Sequence, residues 1–154
     1  PLYDTCIDLA ANMLELAGKG TIEQCTAMAE EAVSSGAALD VLRRTIAMQG
    51  GDSNICDDVS LLPQAKFSHE IRASRDVRIV AVNSEEIGMA SLMLGAGRTV
   101  KDGDIDATAG IVMACGVGDN ISMHAPLMTL YSSVCSDFSE AAVRAVRALT
   151  FEDI

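Results

Sequence analysis

Met48-Gln49-Gly50-Gly51-Asp52, the acidic run that continues to Asp58, and Leu62-Pro63-Gln64-Ala65-Lys66 divide this chain into two parts of different periodicity. Paired glycines end a helix readily, because they adopt backbone conformations closed to other residues. The proline that follows removes a backbone donor and pushes the residue before it out of the helical region. Apolar residues before this stretch recur at helical spacing, and those after it alternate in short runs. Residues 1–52 therefore read as a helical segment, 53–65 as an acidic linker, and 66–154 as an α+β domain.

Working backward from the glycines, Leu39, Leu42 and Ile46 mark a helix from about Ala38 to Met48. A helix before it opens on Thr21 with Gln24 placed to complete a capping box, carries Ile22, Cys25, Met28, Ala29 and Val33 on one face, and stops at Gly36. The first helix has Leu2, Cys6, Leu9, Met13 and Leu16 as its apolar stripe and ends at Gly18 or Gly20. Working forward, Phe67, His69 and Ile71, then Val77, Ile79 and Ala81, read as two strands with Ser74-Arg75-Asp76 turning the chain. Ser84 is positioned to cap a short helix through Leu94, closed by Gly95 and Gly97. Thr108 to Cys115 and Pro126 to Tyr131 are strand-like runs joined by a turn containing Gly116, Gly118, Asp119 and Asn120. Asp137 with Glu140 opens a last helix with Phe138, Ala142, Val143, Val146 and Leu149 as its inward stripe, and Phe151 to Ile154 is a strand or a frayed end.

Composition narrows the function classes. The 154 residues carry a net charge of −11 with only 11 scattered basic residues. Nucleic-acid binding begins with Lys and Arg neutralising phosphates, so nucleic acid is not an expected partner. No apolar run approaches the roughly 20 residues of a membrane helix, and no basic flank with an apolar core marks a secretory signal at the N-terminus. Cys6, Cys25, Cys56, Cys115 and Cys135 form no Cys-x-x-Cys pair, which argues against a disulfide framework or a zinc ribbon and places the chain in a reducing cytoplasm. With few aromatics and no Trp, the core must be built from aliphatic residues and Met.

The words Gln49-Gly50-Gly51-Asp52, Pro63-Gln64-Ala65-Lys66, Ile87-Gly88, Leu94-Gly95-Ala96-Gly97-Arg98, Asp104-Ile105-Asp106, Gly110, Val117-Gly118-Asp119 and Pro126-Leu127 come in an order and at a spacing that resemble the C-terminal third of pyrimidine-nucleoside phosphorylases. The first two look more like the broad-specificity bacterial enzymes than the narrow thymidine phosphorylases. The resemblance implies an α+β fold, with N-terminal helices belonging to a large α/β domain followed by an α/β-hammerhead-like unit. Two positions depart from the family: Val77-Arg78 stands where Gly-Tyr is usual, and His124 stands where glycine is usual, at a turn that needs positive φ.

The candidate sites are loops. Gly95-Ala96-Gly97-Arg98 lacks the third glycine of a dinucleotide loop and follows a helix, whose C-terminal carbonyls repel anions, so left-handed glycines stopping a helix are the plainer reading. The resemblance places this loop, with Gln49, Gly50, Gly51 and Asp52, near the cleft between domains, where Gly95, Gly97 and Arg98 would take part in closure and Arg98 could meet an anion. Gly50-Gly51 reads equally as a hinge or a helix cap. Asp102, Asp104 and Asp106 alternate like a calcium loop, but Ala107 stands where glycine is needed and Met113 at the final acidic position, so solvated loop acids are expected and no metal site. His69 and His124 have no ligand partner at metal spacing. Val117-Gly118-Asp119 with Pro126-Leu127-Met128 also resembles biotinyl and lipoyl carriers, but Lys19, Lys66 and Lys101 lie outside any such hairpin.

By this resemblance the chain is a C-terminal fragment of an enzyme that exchanges a pyrimidine base for phosphate, with pyrimidine nucleoside and phosphate as partners of the whole enzyme and no cofactor of its own. The catalytic and substrate-binding motifs match nothing between Pro1 and Ile154, so none is assigned and the chain alone is expected to be inactive. The whole enzyme is expected to be a homodimer, and the fragment to associate through exposed apolar helix faces. The alternative is a free-standing α+β interaction or regulatory module that keeps this fold.

Overall fold

In the computed structural model, which describes residues 2–98 and 100–154, five α-helices and six strands follow in chain order. They fall into two units, one ending at Leu62 and the other spanning Pro63–Ile154. The class is α+β.

The first unit holds α1 (Leu2–Leu16), α2 (Ile22–Ser34) and α3 (Ala37–Met48). Thr21 and Gln24 close the expected capping box, with the Gln24 amide donating to Thr21 Oγ1 and the Thr21 amide to Gln24 Oε1 at 3.0 Å. At the far end of α3, Gly50 N donates to Ala47 O and Gly51 N to Ile46 O, with Gly50 at φ 80°, which is the Schellman pattern of a left-handed helix stop. On α2 the expected Cys25 and Ala29 are the buried residues, but the packed face of α1 differs from the one expected. Ile7 and Ala11 of α1 and Cys25 and Ala29 of α2 are buried, whereas the Leu2, Cys6, Leu9, Met13, Leu16 stripe is exposed and α3 buries nothing. Small side chains let two helices approach closely, and the larger apolar residues are left on the outer face.

After α3 the acidic stretch folds back on it in two 3-10 turns, Ser53–Cys56 and Val59–Leu61. Asp52 and Asp58 cap these turns by accepting from the amides of Asn54 and Ser60, each at 2.9 Å. Arg43 of α3 grips Asp57 with two hydrogen bonds, 2.5 and 3.0 Å.

The second unit contains β1 (Phe67–Arg72), β2 (Val77–Val82), α4 (Ser84–Ser91), β3 (Gly110–Met113), β4 (Asn120–Ile121), β5 (Pro126–Ser132), α5 (Ser139–Arg147) and β6 (Leu149–Asp153). They form two antiparallel sheets, ordered β1-β5-β3 and β4-β2-β6. The strands on either side of Ser74-Arg75-Asp76 thus lie in different sheets. Ile79, Leu94, Met128 and Leu130 are fully buried at the centre, with Ala90, Ala141 and Ala145 supplied by the helices.

Three local expectations shift. Asn83, one residue before Ser84, caps α4 by accepting from the amides of Glu85 and Glu86. On α5 the inward residues are Ala141 and Ala145 below Phe138, while Val143 is 53% exposed, because alanine lets the helix sit closer than valine would. Of the two alternatives for the tail the strand is found: Phe151 to Asp153 belong to β6 and pair with β2, Ile79 facing Phe151. Arg144 of α5 reaches Glu86 of α4 through two bonds, 2.7 and 3.1 Å, which fixes the helices to each other.

Candidate functional site

Helix α4 does not simply stop at Gly95. It passes into a π-type turn, Leu92–Ala96, in which Gly95 has φ 103°. A Cβ on Gly95 would lie 3.0 Å from Val134 Cγ2 and 3.3 Å from Asp106 Cβ, so glycine is required here by backbone and by space. Gly97, by contrast, is extended, and the expected pair of left-handed glycines reduces to one. Carbonyls at this helix end would repel anions, but two are already occupied. Ser132 Oγ donates to Leu94 O at 2.8 Å, and Asp106 N donates to Gly95 O at 2.9 Å.

Asp106 is the centre of this arrangement and not a solvated loop acid. Its Oδ1 accepts from Thr108 N at 2.9 Å and Thr108 Oγ1 at 2.6 Å, and its Oδ2 from Ser133 N at 2.5 Å. These donors favour the charged form, Thr108 first and Ser133 next, and hold the carboxyl at about 2 against partial desolvation. Ser132 is fully buried, and its oxygen also accepts from Cys135 N at 2.9 Å and Val134 N at 3.2 Å. One side of the Asp102-Asp104-Asp106 series is therefore committed to protein donors. Among the described residues no group of three His, Cys, Asp or Glu could hold a metal ion.

Arg98 is exposed and its Nε donates to Gly103 O at 3.1 Å. Gln49, Gly50, Gly51 and Asp52 lie in the first unit, where Gly50 and Gly51 form the cap of α3 and Asp52 caps the turn after it. The fold thus brings Gly95 against Asp106, turns Arg98 to Gly103, and places Gln49, Gly50, Gly51 and Asp52 in a separate unit. His69 stacks on Phe138 with ring centres 5.8 Å apart. His124 occupies the positive-φ turn position at 68°, with its amide bonded to Ala73 O and its carbonyl accepting from Arg72, so the turn is kept without glycine. All five cysteines are free, and burial, then Asp119, pushes the Cys115 thiol up. What sequence reasoning missed is the role of Asp106, Thr108, Ser132 and Ser133. The Asp-x-Thr spacing at 106–108 was the available signal, since an Asp side chain commonly accepts from the amide two residues on.

Residues 78–152, which include this whole hydrogen-bonded arrangement, match the family model described as Pyrimidine nucleoside phosphorylase C-terminal domain. The chain carries this family's C-terminal domain. It is 38% identical over 133 residues to the Pyrimidine-nucleoside phosphorylase of Staphylococcus aureus (strain USA300), covering 86% of this chain and 31% of the relative. The same values hold for the relative from Staphylococcus aureus (strain bovine RF122 / ET3-1). The chain therefore spans about a third of the length of these curated phosphorylases. The aligned length exceeds the matched C-terminal domain, so likeness to the phosphorylases extends beyond 78–152 into residues outside that domain.

Proposed function

We propose that this chain acts as the C-terminal part of a pyrimidine-nucleoside phosphorylase, completing its large domain and taking part in domain closure over a pyrimidine nucleoside and phosphate. The reaction yields the free base and a ribose or deoxyribose 1-phosphate. The observation that carries this reading is the alignment, which covers 86% of this chain but 31% of the phosphorylase. Phosphorolysis needs donors aimed at the phosphate and at charge developing on the departing base. At the candidate loop the carboxylate of Asp106 is the dominant charge and Arg98 points to a backbone carbonyl, a poor setting for two anions. The chemistry accordingly belongs to other parts of the enzyme, and this chain supplies no cofactor site. The cytoplasm is its compartment and a homodimer the form of the whole enzyme.

The test is incubation of the purified chain with uridine or thymidine and phosphate. No free base above background is expected. Release that follows the chain through purification and vanishes in Arg98→Ala overturns the reading. The exposed Leu9, Met13, Leu39 and Leu42 support self-association of the isolated chain. A strictly monomeric species in sedimentation at high concentration contradicts that part.

A further inference from the structure

The hydrogen bonds around Asp106 have a direction that only an ionised carboxylate can set. A carboxylate accepts and never donates, so the Thr108 hydroxyl spends its one proton on Asp106 Oδ1, 2.6 Å away. Thr108 Oγ1 and Ser133 Oγ lie 2.7 Å apart, and with the Thr108 proton committed, Ser133 must be the donor. Ser133 Oγ in turn accepts from Lys66 N at 3.2 Å, just before β1. On the other oxygen, Ser133 N is bound at 2.5 Å, while the Ser132 hydroxyl, 3.4 Å from Oδ2, sends its proton to the nearer Leu94 O. Asp106 N closes the set on Gly95 O.

We propose that Asp106 is a positioning residue: as an obligate acceptor it orders a chain of hydroxyls that binds the Leu94–Gly97 turn, the Ser132–Cys135 turn and the start of β1 into one rigid piece. The Gly95 loop then travels with the sheet as part of its body and does not close as an independent lid. An amide in place of the carboxylate cannot do this. Whichever way an asparagine is turned, its NH2 faces either the Thr108 or the Ser133 donors. Chains of this kind strengthen one another, so the loss at one member spreads to the others. The rigidity itself does not depend on the phosphorylase reading; only its meaning for closure does.

Residue-resolved amide exchange on the full chain tests it, with Asp106→Asn and Thr108→Val. Asp106→Asn is expected to speed exchange at Thr108, Ser133, Cys135 and position 106 by about tenfold or more, with Val77 and Ile79 of β2 unchanged. Thr108→Val, which keeps the carboxylate and removes one hydroxyl, is expected to speed exchange at Lys66 and Ser133, far from the substitution in sequence. Equal acceleration of all amides, β2 included, would make Asp106 a general contributor to stability and overturn the proposal. So would an unchanged Lys66 amide in Thr108→Val, which serves if the Asn variant does not fold. Neither outcome depends on phosphorolysis, so this proposal and the proposed function fail separately.

Discussion

In the second unit Ile79, Leu94, Met128 and Leu130 are fully buried, whereas in the first unit burial stops at Ile7, Ala11, Cys25 and Ala29, and Leu9, Met13, Leu39 and Leu42 face outward. Both units have well-capped helices, so local chain chemistry does not separate them. Depth of packing does. Most helical stability in proteins comes from burying an amphipathic face, and capping adds about 1 kcal/mol per site. The sheet unit buries large apolar side chains at its centre and leaves others, such as Val112, Val134 and Val143, exposed at its rim. The helical unit buries only Ile7, Ala11, Cys25 and Ala29 and leaves its larger apolar residues outside.

The contrast can be broken most directly by trimming one leucine in each unit. Leu130→Ala should cost about 2–5 kcal/mol in urea unfolding, because β5 lies between two strands and the side chain has nowhere to relax. Leu39→Ala, 43% exposed, should stay within about 1 kcal/mol. Equal losses would mean that the outer helix faces are covered after all. A smaller effect sharpens the role of the double glycine. Gly50→Ala forces alanine to φ 80° and should cost about 1–2 kcal/mol. In Gly51→Ala the new Cβ meets Ile46 Cγ2 at 2.9 Å, so it should also loosen the end of α3. In a whole phosphorylase a hinge role would instead alter turnover with folding stability near normal, and unchanged turnover per folded molecule would leave only the cap.

The smallest expected effect is one of pH. Asp106 sits at about 2 in the folded chain, below the roughly 3.9 of an unfolded Asp, so its contribution is complete above about pH 4 and is lost as pH falls through 2. Acid titration followed by unfolding should show that loss in the wild type and not in Asp106→Asn. A wild type and variant with parallel acid profiles would remove Asp106 from the account.

Elements whose cause is local were legible in the sequence. Thr21 and Gln24 announce their capping box, and Gly50-Gly51 the end of α3, because capping depends on residues within one turn. The positive-φ turn at His124 was legible only through the glycine usual in the resembling family. The strand pairing was not legible, since alternation shows that a strand exists but not that β2 pairs with β6 while β1 pairs with β5. The inward face of α1 was misread because Leu2, Leu9, Met13 and Leu16 dominate its periodicity, while the residues that pack are Ile7 and the small Ala11. Asp106 was hidden for a related reason. The Asp-x-Thr spacing points only to its bonds with Thr108, while Ser133 is distant in sequence and no local pattern leads to it.

Hydrogen exchange of the helical unit, compared between this chain alone and a whole phosphorylase containing it, separates an uncovered helical layer from a self-sufficient one. Amides in α1 and α3 are expected to exchange far faster than those of β5 in the isolated chain, and to become protected in the whole enzyme while β5 changes little. Protection of α1 and α3 equal to that of β5 in the isolated chain would contradict that expectation.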